Sequence, residues 1–161
     1  PYTVKLEGAM AVAFRTFVIA GIRDPILIRS LPEVENEVRT SVRQYFSDIP
    51  RDSYQINFYH YGQNAVMGDL EPNKALPHEL GLLMEVIADS QELADTICAS
   101  LRSTLMHHGY PGRKSTAGNL AFPFAPSDVA FGPVYAFSVY HLMQISDPCA
   151  LFPVEYLEAE A

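Results

Sequence analysis

The sequence predicts an α+β sandwich in which an antiparallel sheet carries two helices on one face, the split βαβ or ferredoxin-like arrangement. Four main segments have the apolar pattern of strands, and two longer segments place apolar residues at helical spacing. These segments follow one another as strand, helix, strand, strand, helix and strand, with an extra strand at the amino terminus. We expect the long loops of the chain to lie at one edge of this sheet.

The amino-terminal part of the chain predicts two strands. Residues 2–6 and 11–20 are both strand-like and are separated by Gly8. The pattern ends in the segment 21–25, because its proline lacks an amide donor for the ladder and restricts the residue before it.

The first helix is expected to begin at Ser30. Glu33 follows three residues later, which is the spacing of a capping box, and Pro32 suits a first turn. The helix is expected to end before Pro50. Its apolar stripe consists of Leu31, Val34, Val38, Val42, Tyr45 and Phe46.

The second half of the chain predicts the remaining elements. Residues 54–61 alternate as a strand, 81–88 form an apolar run typical of a central strand, and 133–143 alternate again. The second helix is expected between the last two strands, with its N-cap at Asp89 or Ser90. Its buried stripe consists of Leu93, Ile97, Leu101 and Leu105.

Composition places the chain among globular proteins and limits its partners. It has 161 residues, of which 48% are hydrophobic, and a formal net charge of −8. The negative charge argues against nucleic acid or an anionic membrane surface as the main partner, and no apolar run is long enough to cross a membrane. Cys98 and Cys149 form neither a metal motif nor a disulfide framework, which favours a reducing cytoplasm.

The predicted domain organisation is one α+β domain over residues 1–147 and an acidic carboxy-terminal tail over residues 148–161. The chain starts at Pro1 without a leader-like segment, so we expect a separately encoded portion or a fragment of a larger protein. Other protein subunits are therefore expected partners, either the remaining portion or further copies of this chain.

The predicted topology gathers three glycine-bearing connections at one edge of the sheet, residues 21–30, 62–79 and 109–132. Loops of this length in a compact domain usually have a functional reason, so the edge is a candidate ligand site or interface. The third connection concentrates donors suited to a carboxylate or a phosphate, which are Arg113, Lys114, Ser115, Thr116 and Asn119. They predict a substrate-binding segment, and a solvated turn is the alternative.

His60 and Asn64, near the start of the second connection, are the candidate catalytic residues. His60 has the chemistry of a general acid or base, and Asn64 supplies an amide donor. The alternative for His60 is an interior histidine bonded to the backbone. The histidines of the chain lack metal-ligand spacing, so no metal is expected, and no cofactor is assigned.

The sheet face away from the helices predicts an interface, because an aromatic-rich face is too apolar to be left in water. Which alternating set faces outward is left open. The candidates are Arg15, Phe17, Gln55, Asn57, Tyr59, Glu85, Tyr135, Phe137 and Val139. Glu85 is either an acid suited to proton transfer beneath a partner or a structural ion pair with Arg15, and we favour the ion pair.

Several motifs resemble those of the acyclic terpene utilisation AtuA-like family. The most specific stretch is Thr-Ala-Gly-Asn-Leu-Ala-Phe-Pro at residues 116–123, and shorter pieces lie at residues 4–9, 20–25, 60–68 and 109–113. The resemblance covers nearly the whole chain and corresponds to the carboxy-terminal part of that family. It implies bacterial catabolism of branched or organic acids, close to acyl-CoA chemistry, and it carries over no catalytic residues.

Two functions follow as hypotheses. In the first, the chain is the carboxy-terminal domain or subunit of an AtuA-like catabolic protein. Its loop edge then binds a small acid or an acyl-CoA, in an enzyme of lyase, hydratase or isomerase type that another chain completes. In the second, the chain is a non-catalytic assembly module whose open sheet face packs on a partner subunit.

Overall fold

The computed structural model describes residues 1–116 and 119–157. The elements, in chain order, are β1 (Tyr2–Ile22), α1 (Pro25–Tyr45), β2 (Tyr54–Tyr61), β3 (Leu80–Ala88), α2 (Gln91–His107), β4 (Asp128–Ile145) and the short α3 (Pro148–Leu151). None of the helices in the described ranges is long and apolar enough to cross a membrane.

The four strands form one antiparallel sheet in the order β2-β3-β1-β4. In the register of the three strands that form its centre and one edge, Glu85 of β3 lies opposite Phe17 of β1 and opposite Asn57 of β2. This strand order, with a helix after the first strand and another after the third, confirms the predicted ferredoxin-like split βαβ fold.

Both long helices pack on the same face of the sheet. Thr16 of β1 contacts Asp95 of α2, and His60 of β2 contacts Glu35 of α1. The register puts Thr16 beside Ile56 across β3, and Ile56 shares its face with His60. The core lies between this face and the helices, and its largest fully buried side chains include Ile22, Ile28, Leu31, Leu82, Met84, Ile97 and Leu101.

The start of α1 differs from the prediction. Asp24 is the N-cap, and its Oδ1 accepts a hydrogen bond of 2.9 Å from the amide of Ile26. Pro25 takes the first helical position, where a missing amide loses no partner. The predicted start at Ser30 is wrong, since Ser30 lies inside the helix and donates its hydroxyl to the carbonyl of Ile26. The helix begins at Pro25 instead of Ser30 because the additional turn buries residues 27–28 in the core.

The earlier start also shortens the first connection at the sheet edge. The predicted loop at residues 21–30 is reduced to Arg23 and Asp24. Two long loops remain in the described structure, the β2–β3 loop (residues 62–79), which contains a 3₁₀ turn, and the α2–β4 loop (residues 108–127).

The predicted strand at residues 2–6 continues through Gly8 into the rest of β1. A Cβ atom at Gly8 would lie 3.2 Å from Ser138 Oγ and 3.5 Å from Val139 Cβ. Glycine therefore allows β4 to approach closely here, and it does not interrupt the strand.

The chain divides into two compact units. Unit 1 consists of residues 1–11 and 135–161, and unit 2 consists of residues 12–134. That residues 1–147 form a single domain stays a prediction. Within the predicted tail, α3 occupies residues 148–151, and residues 158–161 lie outside the described part of the chain.

Candidate functional site

The two long loops of unit 2 meet at the short connector between β1 and α1. Arg23 donates from Nη1 to the carbonyl of His78 in the β2–β3 loop, at 2.7 Å. Tyr110 of the α2–β4 loop donates its hydroxyl to Oδ2 of Asp24, at 2.6 Å. The two loops that the sequence assigns to one sheet edge therefore share a common anchor.

A second contact ties the α2–β4 loop to the end of β1. Gly21 and Ala121 exchange two backbone hydrogen bonds of 2.8 and 2.9 Å. A Cβ atom at Gly112 would lie 3.0 Å from Ile26 Cδ1, so the same loop also packs closely on the first turn of α1. Gly112 has φ +82°, a conformation that glycine adopts without strain.

Asp24 is the electrostatic centre of this edge. The pKa of Asp24 lies below its usual value, and the hydrogen bond from Tyr110 is the largest cause. The Ile26 amide and the nearby Lys114 ammonium also lower this pKa, whereas burial raises it. Burial, followed by the bond to Asp24, raises the pKa of Tyr110 to about 12. The pair is therefore a carboxylate and a neutral phenol at neutral pH.

Arg113 has a structural role in the α2–β4 loop. A guanidinium carries five N–H groups, and those of Arg113 are donated to five backbone carbonyls. The acceptors are Met106 (3.0 Å), His107 (2.8 Å), His108, Ser115 and Thr116. Carbonyls at the end of a helix lack intrahelical partners, so Arg113 closes the end of α2 and folds the loop back on it. In this conformation the side chain has no free N–H for the predicted substrate anion.

The other predicted binding residues are more accessible. Lys114, Ser115 and Thr116 are exposed, and the carbonyls of Ser115 and Thr116 accept from Arg113. The side-chain nitrogen of Asn119 is buried and finds no hydrogen-bond partner among the described residues. Residues 117–118 of the same segment lie outside the described part.

His60 is an interior histidine, as the alternative interpretation expected, but its partner is a carboxylate. Its Nε2 lies 2.5 Å from Oε1 of Glu35, and the two side chains are only 13% and 11% exposed. The neighbouring Arg39 of α1 donates to the carbonyl of Ile56 and lies 5.1 Å from the ring of Phe58. The pair joins α1 to β2, and its predicted catalytic role stays a prediction.

Asn64 lies in the turn that follows His60. The amides of Gln63, Asn64 and Ala65 all donate to the carbonyl of His60, at 3.1, 3.2 and 3.1 Å. Asn64 itself is exposed. In the described part of the chain, no hydrogen bond or ion pair joins His60 or Asn64 to Arg113, and a site that combines the catalytic and binding groups stays a prediction.

The β2–β3 loop forms a groove of about 280 Å³ beside this turn. Its lining residues are Gly62, Gln63, Ala65, Val66, Glu71, Asn73 and Ala75. The lining includes one carboxylate and no cation, so its charge does not suit an anionic substrate. Among the described residues, no three or more His, Cys, Asp or Glu side chains are grouped to hold a metal ion.

The open face of unit 2, which we define as the sheet face opposite α1 and α2, carries a polar network. Glu85 is only 6% exposed, and its Oε1 lies 2.6 Å from Nε of Arg15, although the N–H is not aligned for a hydrogen bond. Its Oε2 accepts from Asn57 at 2.8 Å and from Tyr59 at 3.1 Å. The predicted ion pair between Arg15 and Glu85 is confirmed.

Aromatic rings surround this network. The ring of Phe131 lies 6.1 Å from that of Phe17 and 5.5 Å from the guanidinium carbon of Arg15. Burial, and then the hydrogen bond to Glu85, raises the pKa of Tyr59, so its hydroxyl stays a donor at neutral pH. The open face therefore combines an ordered polar centre with exposed apolar rings, of which Phe131 is 61% exposed.

Sequence reasoning missed Glu35 and Tyr110. Glu35 lies four residues after Leu31 and directly follows Val34, so it falls within the apolar stripe of α1, where an acid indicates a buried partner. Tyr110 gave a weaker signal, an aromatic side chain between glycine and proline in a polar loop.

No family model, curated protein or solved structure matches this chain. The resemblance to the AtuA-like family therefore stays a prediction.

Proposed function

We propose that this chain is an assembly module that docks the open face of unit 2 on another protein subunit. The observation that carries the proposal is Glu85, a carboxylate only 6% exposed on the face opposite both long helices. Arg15, Asn57 and Tyr59 already hold its two oxygens. A partner can therefore cover this face without desolvating a free charge, which is the main penalty in burying polar groups at an interface.

The apolar part of the open face supports the same function. Phe131, Tyr59 and Ile19 are 61%, 38% and 36% exposed around the polar centre. Aromatic anchors around a satisfied polar group are typical of the centre of a protein interface. The partner that the resemblance implies is the amino-terminal portion of an AtuA-like protein.

The experiment mixes this chain with the amino-terminal portion of an AtuA-like protein and measures the complex by native mass spectrometry. We expect the combined substitutions Tyr59→Lys and Phe131→Lys to weaken binding at least about tenfold, as loss of an interface anchor does. Phe124→Lys is the matched control, because Phe124 is 47% exposed in the α2–β4 loop. Equal binding by the open-face variant and the control would contradict the docking function.

A second candidate is the anion-binding edge of an AtuA-like catabolic enzyme of lyase, hydratase or isomerase type. It is favoured by Lys114, which is close enough to affect Asp24, and by the buried side-chain nitrogen of Asn119, which has no partner among the described residues. We propose a cytoplasmic location for either function, and this is supported by the two free cysteines.

Calorimetric titration with coenzyme A and with acetate tests the second candidate. We expect Lys114→Ala and Asn119→Ala to weaken binding and to leave the mass of the assembly unchanged. Lys74→Ala is the control, since it removes an exposed cation from the β2–β3 loop. If the wild-type chain gives no heat of binding, or if Lys114→Ala binds as tightly as the wild type, the proposed edge does not bind these ligands.

A further inference from the structure

We propose that two copies of this chain pair through the β4 strands of unit 1. We call residues 2–11 and 135–145 of unit 1 the ribbon, because they belong to β1 and β4, which are neighbours in the sheet. The inference uses residues outside the open face and does not depend on its docking function.

The ribbon exposes more apolar surface than two strands can stabilise in water. Its exposed large side chains are Tyr2 (61%), Leu6 (36%), Met10 (55%), Tyr135 (64%), Phe137 (74%), Val139 (44%), Tyr140 (70%) and Leu142 (64%). A two-stranded ribbon is marginally stable at best unless another strand or layer covers it. Apolar groups this closely spaced mark an interaction surface.

One face of the ribbon is apolar except for His141, which lies two residues from Val139. Tyr2, Leu6 and Met10 alternate along β1 and share a face with Gly8. A Cβ atom at Gly8 would lie 3.5 Å from that of Val139, so the same face continues on β4. Phe137 lies two residues from Val139 on that face.

The other face of the ribbon is more polar. Lys5 forms an ion pair of 2.7 Å with Glu7, and its ammonium lies 4.9 Å from the centre of the Tyr140 ring. Across a paired β4 edge, cross-strand side-chain contacts are therefore expected on the face of Phe137 and Val139, which carries no Lys, Arg, Asp or Glu.

In the described part of the chain, the edges of the ribbon have no further strand beside them. The register of β3 with β1 covers residues 14–22, outside the ribbon, and β4 is the last strand in the sheet order. Natural proteins protect exposed edges with proline, bulges or charged side chains. β4 has such protection at its start, where Gly132 has φ +98° and Pro133 lacks an amide, but residues 134–145 contain no Pro, Lys, Arg, Asp or Glu.

A second copy of the chain fits this edge better than an unrelated partner. Residues 1–11 carry one Lys and one Glu, and residues 135–145 carry no Asp, Glu, Lys or Arg, so the ribbon is neutral in a chain of charge −8. Two ribbons can therefore meet without the like-charge repulsion that opposes association elsewhere on this chain. Antiparallel pairing of β4 with β4 about a twofold axis satisfies the same edge in both copies.

The exposed side chains of one face supply a large part of the area that a stable dimer buries. Tyr2, Tyr135 and Phe137 lie on the face of Val139 and are each more than 60% exposed. With roughly 200 Å² for each aromatic side chain, they offer about 400 Å² per copy. The aliphatic side chains and the backbone edge add to this, and a standard interface buries about 800 Å² per partner.

Sedimentation velocity and light scattering test the pairing on the full chain. We expect a mass of twice 17.9 kDa at micromolar concentrations and the single-chain mass for Phe137→Lys combined with Val139→Lys. Tyr45→Lys, at a 78% exposed tyrosine of α1, should remain dimeric. A monomeric wild-type chain, or a dimer that the ribbon substitutions leave intact, overturns the proposal.

Disulfide crosslinking tests the antiparallel arrangement without depending on a disruptive variant. Single cysteines are placed at successive positions from 136 to 142 in a Cys149→Ser background. When two strands pair antiparallel about a twofold axis, only the residue nearest the axis lies opposite the same residue of the other copy. The yield of crosslinked dimer should therefore be highest at one position and lower at the positions before and after it. Crosslinking that is absent or uniform along β4 overturns the β4–β4 pairing. Tyr59→Lys with Phe131→Lys should leave the dimer mass unchanged, which separates this inference from docking of the open face.

Discussion

Tyr110 and Asp24 are 86 positions apart in the chain and are joined by a hydrogen bond of 2.6 Å from the phenol to Oδ2. The other carboxylate oxygen of Asp24 caps α1 through the amide of Ile26. One carboxylate therefore fixes both the start of α1 and the position of the α2–β4 loop. Because Arg23 beside it holds the β2–β3 loop, this connector organises the whole loop edge.

Tyr110→Phe removes the donor to Asp24 and should lower the free energy of unfolding by about 1 kcal/mol at pH 7. Asp24 has a folded-state pKa below the reference value of 3.8, so its contribution is complete above that value and is lost as the pH falls through the folded-state pKa. The difference in free energy of unfolding between wild type and Tyr110→Phe should therefore be smaller in acid than at pH 7. Urea unfolding at pH 7 and at pH 3 measures this difference at both pH values.

Tyr45→Phe is the control for this prediction, because Tyr45 is 78% exposed. It should leave the free energy of unfolding unchanged at either pH. If Tyr110→Phe lowers the free energy of unfolding by as much in acid as at pH 7, the hydroxyl does not stabilise the fold through the Asp24 carboxylate.

Arg113→Ala should lower the free energy of unfolding by about 2 kcal/mol, because hydrogen bonds to a charged group are stronger than neutral ones and five carbonyls lose their donor. Arg113→Lys should recover little of this loss, since an ammonium has three donors and lacks the planar fork. Hydrogen exchange should locate the change in the last turn of α2 and in the α2–β4 loop.

Lys114→Ala is the adjacent control for Arg113, and Lys114 is exposed. It should change the free energy of unfolding by less than about 0.5 kcal/mol, as surface substitutions usually do. If Arg113→Ala is as harmless as Lys114→Ala, the guanidinium is not needed to hold the loop.

The strands of the fold were predictable because they depend on local alternation. The strand expected at residues 54–61 is observed as Tyr54–Tyr61, and the apolar run at 81–88 is β3. The start of α1 was not predictable from local signals, since Asp24 with Pro25 and Ser30 with Glu33 both have the chemistry of a helix start. Burial of the added turn against the sheet decides between them, and that depends on tertiary packing.

The site was predictable only in part, for a similar reason. Strand periodicity made Arg15 and Glu85 candidates for the same face, and the ion pair favoured between them is observed. The sequence identifies Arg113 as a strong donor but does not determine its acceptors, which are carbonyls assembled by the fold of the α2–β4 loop. A cation in a glycine-bearing loop is therefore equally compatible with a site for a bound anion and with a side chain that holds the carbonyls of its own loop.

His60→Ala should lower the free energy of unfolding by about 3 kcal/mol, because it leaves the carboxylate of Glu35, only 8% exposed, without its nearest partner. Replacing both residues by alanine should lower it by less than the sum of the losses for His60→Ala and Glu35→Ala, since neither side chain is then left buried without its partner. Urea unfolding of the four proteins completes the double-mutant cycle.

His108 provides the matched control, because it forms the same type of pair with Glu37 at 2.9 Å, and Glu37 is 64% exposed. His108→Ala should lower the free energy of unfolding by less than about 1 kcal/mol, because the exposed Glu37 carboxylate can bind water once its partner is removed. If His60→Ala and His108→Ala lower the free energy of unfolding equally, burial does not strengthen the interaction between His60 and Glu35.

Cys98 and Cys149 should differ sharply in their reaction with a thiol reagent. Cys98 is fully buried in α2, and burial raises its pKa to about 12, whereas Cys149 is exposed. Since the thiolate is the reactive form, the folded chain should react rapidly at one thiol and the urea-unfolded chain at two. In Cys149→Ser the remaining thiol should react only at the rate at which the core opens, and Cys98→Ala should retain the fast reaction. Rapid labelling of folded Cys149→Ser would contradict the buried position of Cys98, and with it the packing of α2 on the sheet.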